Sequence, residues 1–169
     1  MTELYRGRRL SVESRIFPLP TGKSVEKIVV HPGDAVAMLP ITADGTCYLI
    51  RQYRFAVGGY ILEAPAGTLN PGEDPLDAAH RELIEETGYQ AGILTPRGFI
   101  YTTPGFTDER IFLYEARDLS PSNLFHQDED EIIELAPVRR EELRPMIMDG
   151  RIVDAKTISL IFRCFGPDP

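Results

Sequence analysis

The chain has no tryptophan and only two cysteines among its 169 residues. Any wide aromatic surface must therefore come from phenylalanine or tyrosine. Cys47 and Cys164 each lie in a strongly apolar run, so both read as buried free thiols, with a disulfide or a reactive thiol the lesser reading. No apolar stretch approaches the length of a membrane span, and Met1 to Arg15 lacks the apolar core of a secretory signal. A reducing, cytoplasmic location is the resulting expectation. Positive charge is also in short supply, with 18 Lys and Arg against 26 Asp and Glu, for a formal net charge of -8. That balance argues against binding a nucleic-acid backbone. An acidic chain that handles an anionic ligand needs local compensation, from bound cations or from a few placed arginines. There is no internal repeat and no low-complexity linker.

The composition that remains is ordinary for a globular protein, at 43% hydrophobic and 26% charged. The length suits one domain over residues 1–169 with a sizeable core. Apolar and β-branched runs predict strands at 24–31, 34–42, 46–53 and 60–63, punctuated by Pro32-Gly33, Ala43-Asp44-Gly45 and Gly58-Gly59. A helix follows. Asp74 is a good N-cap, Pro75 fits the first helical position and Gly88 falls just past the end. Leu76, Ala79 and Leu83 share one face at helical spacing and are expected to pack on a sheet. Further strands are predicted at 98–103, 110–116 and 131–138, with helices near 140–148 and 155–165. Strands with interspersed helices imply an α/β sandwich with a mixed sheet. Residues 1–30 read as a peripheral segment able to pair with a second subunit.

The chemistry concentrates in the first helix. Glu82 and Glu86 are four residues apart and project from the same side, bordering the apolar stripe, with Glu85 between them and nearer solvent. Glu73 precedes the helix and can fold back towards it. Carboxylates this close repel unless a cation intervenes, and Arg81 alone cannot neutralise them. Hard oxygen donors in such a cluster suit Mg²⁺ or Mn²⁺, with ligand phosphates completing the shell. The plainer reading is a solvated acidic face with an Arg81–Glu85 pair. The spacing decides between them. Gly67, five residues, Glu73, seven residues, then Arg81, Glu82, Leu83, Glu85, Glu86 and Gly88 form the Nudix box, with Tyr89 in a final slot that is more usually aliphatic.

The chain thus resembles the Nudix superfamily, which implies a Nudix-type α/β/α sandwich and hydrolysis of nucleoside diphosphates linked to a further group. The resemblance makes Glu82 and Glu86 the principal metal ligands and Glu85 a further ligand or the orienter of a metal-bound water. It makes the main-chain carbonyl of Ala66 another ligand, and Glu73 and Arg81 a brace between loop and helix. Outside the box, Arg51-Gln52-Tyr53-Arg54, Gly58-Gly59-Tyr60, Glu63 to Gly67, and Pro104 with the loop that follows it to Glu109 resemble the ADP-ribose pyrophosphatase group. GDP-mannose hydrolases share several of these features.

Arg51 and Arg54 read either as an exposed strand pair or as phosphate ligands. A role for at least Arg54 at the phosphate is preferred, because guanidinium forks match phosphate oxygens. Glu63 either contacts a ribose hydroxyl or pairs with a neighbouring arginine. In the resembled group a glutamate from a later acidic loop helps activate the attacking water, which points to Glu129 or Glu131, with Glu129 favoured. Without tryptophan, Tyr5 and Phe17 are the candidates for stacking on adenine. The resemblance also implies a homodimer. The expected reaction is cleavage of ADP-ribose to AMP and ribose 5-phosphate. A nucleotide-sugar such as GDP-mannose is the alternative substrate, and a non-catalytic nucleotide-sugar sensor the more remote one.

Overall fold

The computed structural model describes residues 1–123 and 133–167. Along the chain run β1 (Thr2–Arg6), β2 (Ser11–Pro18), β3 (Ser24–His31), β4 (Ala35–Pro40), β5 (Thr46–Arg54), β6 (Gly59–Glu63) and β7 (Ala66–Thr68). Then come α1 (Pro75–Thr87), β8 (Tyr89–Tyr101), β9 (Arg110–Pro121), β10 (Ile133–Arg139), α2 (Arg140–Met148) and α3 (Ala155–Phe165). They form three sheets, ordered β1-β2-β3, β10-β5-β6 and β7-β4-β9-β8. The last is mixed, because β4 runs parallel to β9 and antiparallel to β7.

β4 explains the layering. Its alternate side chains face opposite ways, and nearly all are buried, as expected of a strand covered on both faces. Val36 and Met38 join Ala78, Ala79 and Leu83 of α1 in one core. Ala37 and Leu39 join Leu49, Leu143, Leu160 and Ile161 in the other, which brings in β5, α2 and α3. The mixed sheet therefore lies between α1 on one side and the remaining helices on the other. Both cysteines belong to the second core and both are free thiols. Burial pushes each of them up to about 12. No helix among the described residues is long and apolar enough to cross a membrane.

The termini of α1 follow the sequence signals. The Asp74 side chain accepts a hydrogen bond from Leu76 N–H at 2.8 Å, and Gly88 closes the helix in the left-handed conformation at φ 73°. One detail of the helix departs from expectation. Leu76 is exposed, and the buried stripe is Ala78, Ala79, Leu83, Glu86 and Thr87. Leu76 sits in the first turn, ahead of the buried residues that begin at Ala78.

Other differences concern strand limits. β8 starts at Tyr89 rather than near Gly98, because it absorbs Pro96 and Gly98 through a register shift between Pro96 and Phe99. Gly98 takes φ 82° there. Arg163 of α3 donates to the carbonyls of Arg97 and Phe99 across the irregularity, at 2.6 and 3.2 Å. β7 gave no strand signal in sequence, being three residues long between Pro65 and the box loop. Of the strand expected over 131–138, residues 131 and 132 lie outside the described residues.

Candidate active site

Arg81 organises the acidic helix. Its Nε and Nη2 each lie 2.9 Å from an oxygen of Glu73, while Nη1 meets Glu82 at 2.6 Å and Glu85 at 2.9 Å. Glu73 also accepts the N–H of Asn70 at 2.7 Å, so it closes the loop before the helix. These bonds, the Arg81 guanidinium first, hold the Glu73 carboxyl down at about 2, and the same contacts raise Arg81. The expected brace between loop and helix is thus present. One guanidinium still faces three carboxylates, so the cluster keeps an excess of negative charge.

The approach of β7 to α1 supplies the second feature. A Cβ on Gly67 would lie 1.9 Å from Cδ of Glu82, so only glycine lets this carboxylate lie against the strand. One residue earlier, the Ala66 N–H donates to Oε2 of the buried Glu86 at 2.7 Å. An extended residue turns its N–H and C=O to the same edge, so the Ala66 carbonyl faces the Glu86 side as well. Glu82 is mostly buried and Glu85 is 40% exposed, so the three carboxylates grade from core to solvent.

The donors fit a hard divalent cation. Among the described residues no three acidic, histidine or cysteine side chains already form a cage. The Arg81 guanidinium bridges Glu82 and Glu85 where such an ion would compete. Small divalent ions that retain water need only one or two carboxylates, together with a carbonyl and the phosphates of the ligand. Arg81 can yield Glu82 and Glu85 and still keep both oxygens of Glu73.

The cationic side of the site is Arg54, held by a bidentate pair with Glu63 at 2.6 and 2.9 Å. That hydrogen-bonded pair raises Arg54 above its ordinary value. Of the two partners considered for Glu63, the structure supplies the arginine. Arg54 and Gln52 line one cavity, of about 950 Å³, that also takes in Glu82 and Glu85. Arg51 does not. It lies three residues from Arg54, so the pleat sends it to the other face. There it stacks 3.8 Å over the Tyr60 ring and pairs with Glu134 at 3.0 Å.

Several residues line or support the site without a local signal. Arg8 and Arg9, in the turn between β1 and β2, line the cavity together with the box loop. Tyr5 and Phe17 do not line it. Tyr5 is exposed, and Phe17 sits under the Arg15 guanidinium at 4.4 Å. Lys156 and Thr157 come from α3, 93 residues beyond the Glu63 and Ala64 they contact. Glu129 and Glu131 lie outside the described residues.

Residues 31–160 match the family model of the NUDIX domain. An ADP-ribose pyrophosphatase of Bacillus subtilis (strain 168) is 39% identical over 157 residues, 92% of this chain and 84% of its own length. A methanol dehydrogenase activator of Bacillus methanolicus is 40% identical over 158 residues, 92% of this chain and 85% of its own. A GDP-mannose pyrophosphatase of Yersinia pestis (strain Pestoides F) is 34% identical over 159 residues, 86% of this chain and 79% of its own. The crystal structure of an ADP compounds hydrolase superposes with a TM-score of 0.84 at 28% identity, over 96% of this chain and 88% of that one. The box in register, the carboxylates it gathers beside β7 and the match over most of the length lead to one conclusion: the chain belongs to the Nudix family.

Proposed function

We propose that the chain hydrolyses the diphosphate bond of ADP-ribose to AMP and ribose 5-phosphate, with Mg²⁺ as its metal and Mn²⁺ able to substitute. The carrying observation is that one cavity gathers Glu82 and Glu85 from α1 and Arg54 from β5, with Ala66 beside them. Anion-binding and cation-binding groups therefore face the same volume, which is of the size that small-molecule sites occupy. Relatives named for ADP-ribose and ADP compounds favour this substrate, while the GDP-mannose pyrophosphatase keeps that nucleotide-sugar as the second reading.

Glu82, Glu86 and the Ala66 carbonyl would hold the metal, and the more exposed Glu85 would complete or orient its shell. Bound Mg²⁺ would neutralise phosphate charge and activate water. Arg54 would grip a phosphate through the guanidinium edge not used by Glu63. Glu129 or Glu131, with Glu129 favoured, would orient or deprotonate the attacking water, whose oxygen bonds to one phosphorus as the bridging oxygen leaves with the other. Arg51 has no place in this set within one subunit. Residues 1–169 are taken as one domain whose N-terminal sheet pairs with a second copy. Leu4, Ile16 and Ile28, exposed on β1, β2 and β3, support that reading, and light scattering that gave a monomer mass would refute it.

The direct test is AMP release from ADP-ribose with and without Mg²⁺, beside GMP release from GDP-mannose. Fast, metal-dependent AMP release with little GMP supports the assignment. Preference for GDP-mannose moves the substrate and keeps the chemistry, whereas no turnover of any nucleoside diphosphate compound defeats the catalytic reading.

A further inference from the structure

We infer that Lys156 is a positioning residue for the phosphate site, acting through Glu63 on Arg54; the inference rests on the proposed diphosphate reading. Glu63 is 1% exposed, and both of its oxygens are engaged by Arg54. Lys156 Nζ joins Arg54 on the same oxygen, Oε2, and lies 3.0 Å from Asp154 as well. The four groups alternate in sign along the chain Asp154–Lys156–Glu63–Arg54. Lys156 is itself only 10% exposed and does not line the cavity, whereas Arg54 does. Lys156 therefore reaches a ligand only through its neighbours.

Three consequences follow from the charges. With Lys156 present, two cations offset two carboxylates, the buried Glu63 and the half-buried Asp154, and Arg54 presents a cationic edge to the cavity. With Lys156 replaced by an apolar side chain, Arg54 alone must compensate Glu63 in a poorly solvated pocket. The guanidinium is then drawn onto Glu63, and its attraction for a diphosphate weakens.

Lys156 is not what docks α3. The Thr157 hydroxyl accepts the Ala64 N–H at 2.7 Å, and Asp154 caps the helix by accepting the Thr157 N–H at 2.9 Å. Those bonds remain when Lys156 is changed, so geometry separates the electrostatic role from the structural one.

The test compares wild type, Lys156→Met and Lys156→Arg in steady-state hydrolysis of ADP-ribose with Mg²⁺, with melting temperature as the check on folding. The expected result is a KM raised about tenfold in Lys156→Met with kcat changed less than about threefold, and substantial rescue by Lys156→Arg. If Lys156→Met fails to fold, Lys156→Gln, which keeps a donor to Glu63 without the charge, carries the same expectation. A folded Met or Gln variant with unchanged KM, or a loss confined to kcat and melting temperature, overturns the inference. Calorimetric titration with inorganic pyrophosphate and Mg²⁺ provides a readout independent of turnover. Binding about tenfold weaker in the variant supports the role even if ADP-ribose is not the substrate. Equal binding, or none by wild type, refutes it.

Discussion

Replacing Gly67 by alanine places a methyl carbon 1.9 Å from Cδ of Glu82 and 2.0 and 2.2 Å from its two oxygens. Carbon atoms in ordinary contact sit about 3.5 Å apart, so the carboxylate or the strand has to shift by roughly 1.5 Å. Backbone conformation does not oppose the change, because Gly67 is not among the positive-φ glycines. The obstacle is the far end of a flexible side chain, so the stability cost falls near the lower end of the roughly 1–3 kcal/mol typical of overpacking. The catalytic cost is larger. A displacement of about 1 Å at a reacting group can remove about 10²-fold in rate, and Glu82 is proposed above to hold the metal. Gly67→Ala should therefore lose at least about 10²-fold in metal-dependent AMP release while melting within a few degrees of wild type. Gly59→Ala is the matched control, since an added Cβ there meets nothing within 4 Å. Full turnover by a folded Gly67→Ala, at unchanged Mg²⁺ requirement, would refute the claim that Glu82 must lie against β7 for function.

Glu82→Gln should cut turnover by more than the roughly 10–100-fold typical of losing a group that only supports a metal ligand. Its melting temperature should change little, because Arg81 keeps Glu73 and Glu85; near-normal turnover by the folded variant would remove Glu82 from the ligand set. Glu73 carries a pH prediction. Its carboxyl is held at about 2 against an ordinary value of 4.5, so its pairing stabilises the fold above pH 4.5 and is lost as pH falls towards 2. Wild type should melt above Glu73→Gln at pH 6, and the gap should close between pH 4.5 and 2. A gap independent of pH would show that the contribution is not ionic.

The sequence alone determined the box, because its chemistry is local. Gly67, Glu73, Arg81, Glu82, Glu85, Glu86 and Gly88 are tied by loop and helix periodicity, and the Asp74 and Gly88 caps mark where that periodicity begins and ends. The helices expected near 140–148 and 155–165 were legible in outline as well. Strand limits were less so, since β7 is too short to show alternation and β8 continues through Pro96 and Gly98 by means of an irregularity. Pleat parity was present in the sequence and separates Arg51 from Arg54, a distinction that spacing alone allows once β5 is accepted as continuous.

Tertiary structure decided the partners of the charges. Arg54 could have faced solvent or ligand, and it is the closure of β5 against β6 that sets it on Glu63. Lys156 had no recognisable pattern at all, because its contact with Glu63 depends on where α3 docks and not on any neighbour in sequence. Arg8 and Arg9 likewise enter the cavity only because the fold brings the β1–β2 turn and the box loop to line the same volume. Helical spacing is a short-range geometric rule that the sequence displays directly. Which distant charges meet in a buried pocket depends on packing between layers, and no window of the sequence contains it.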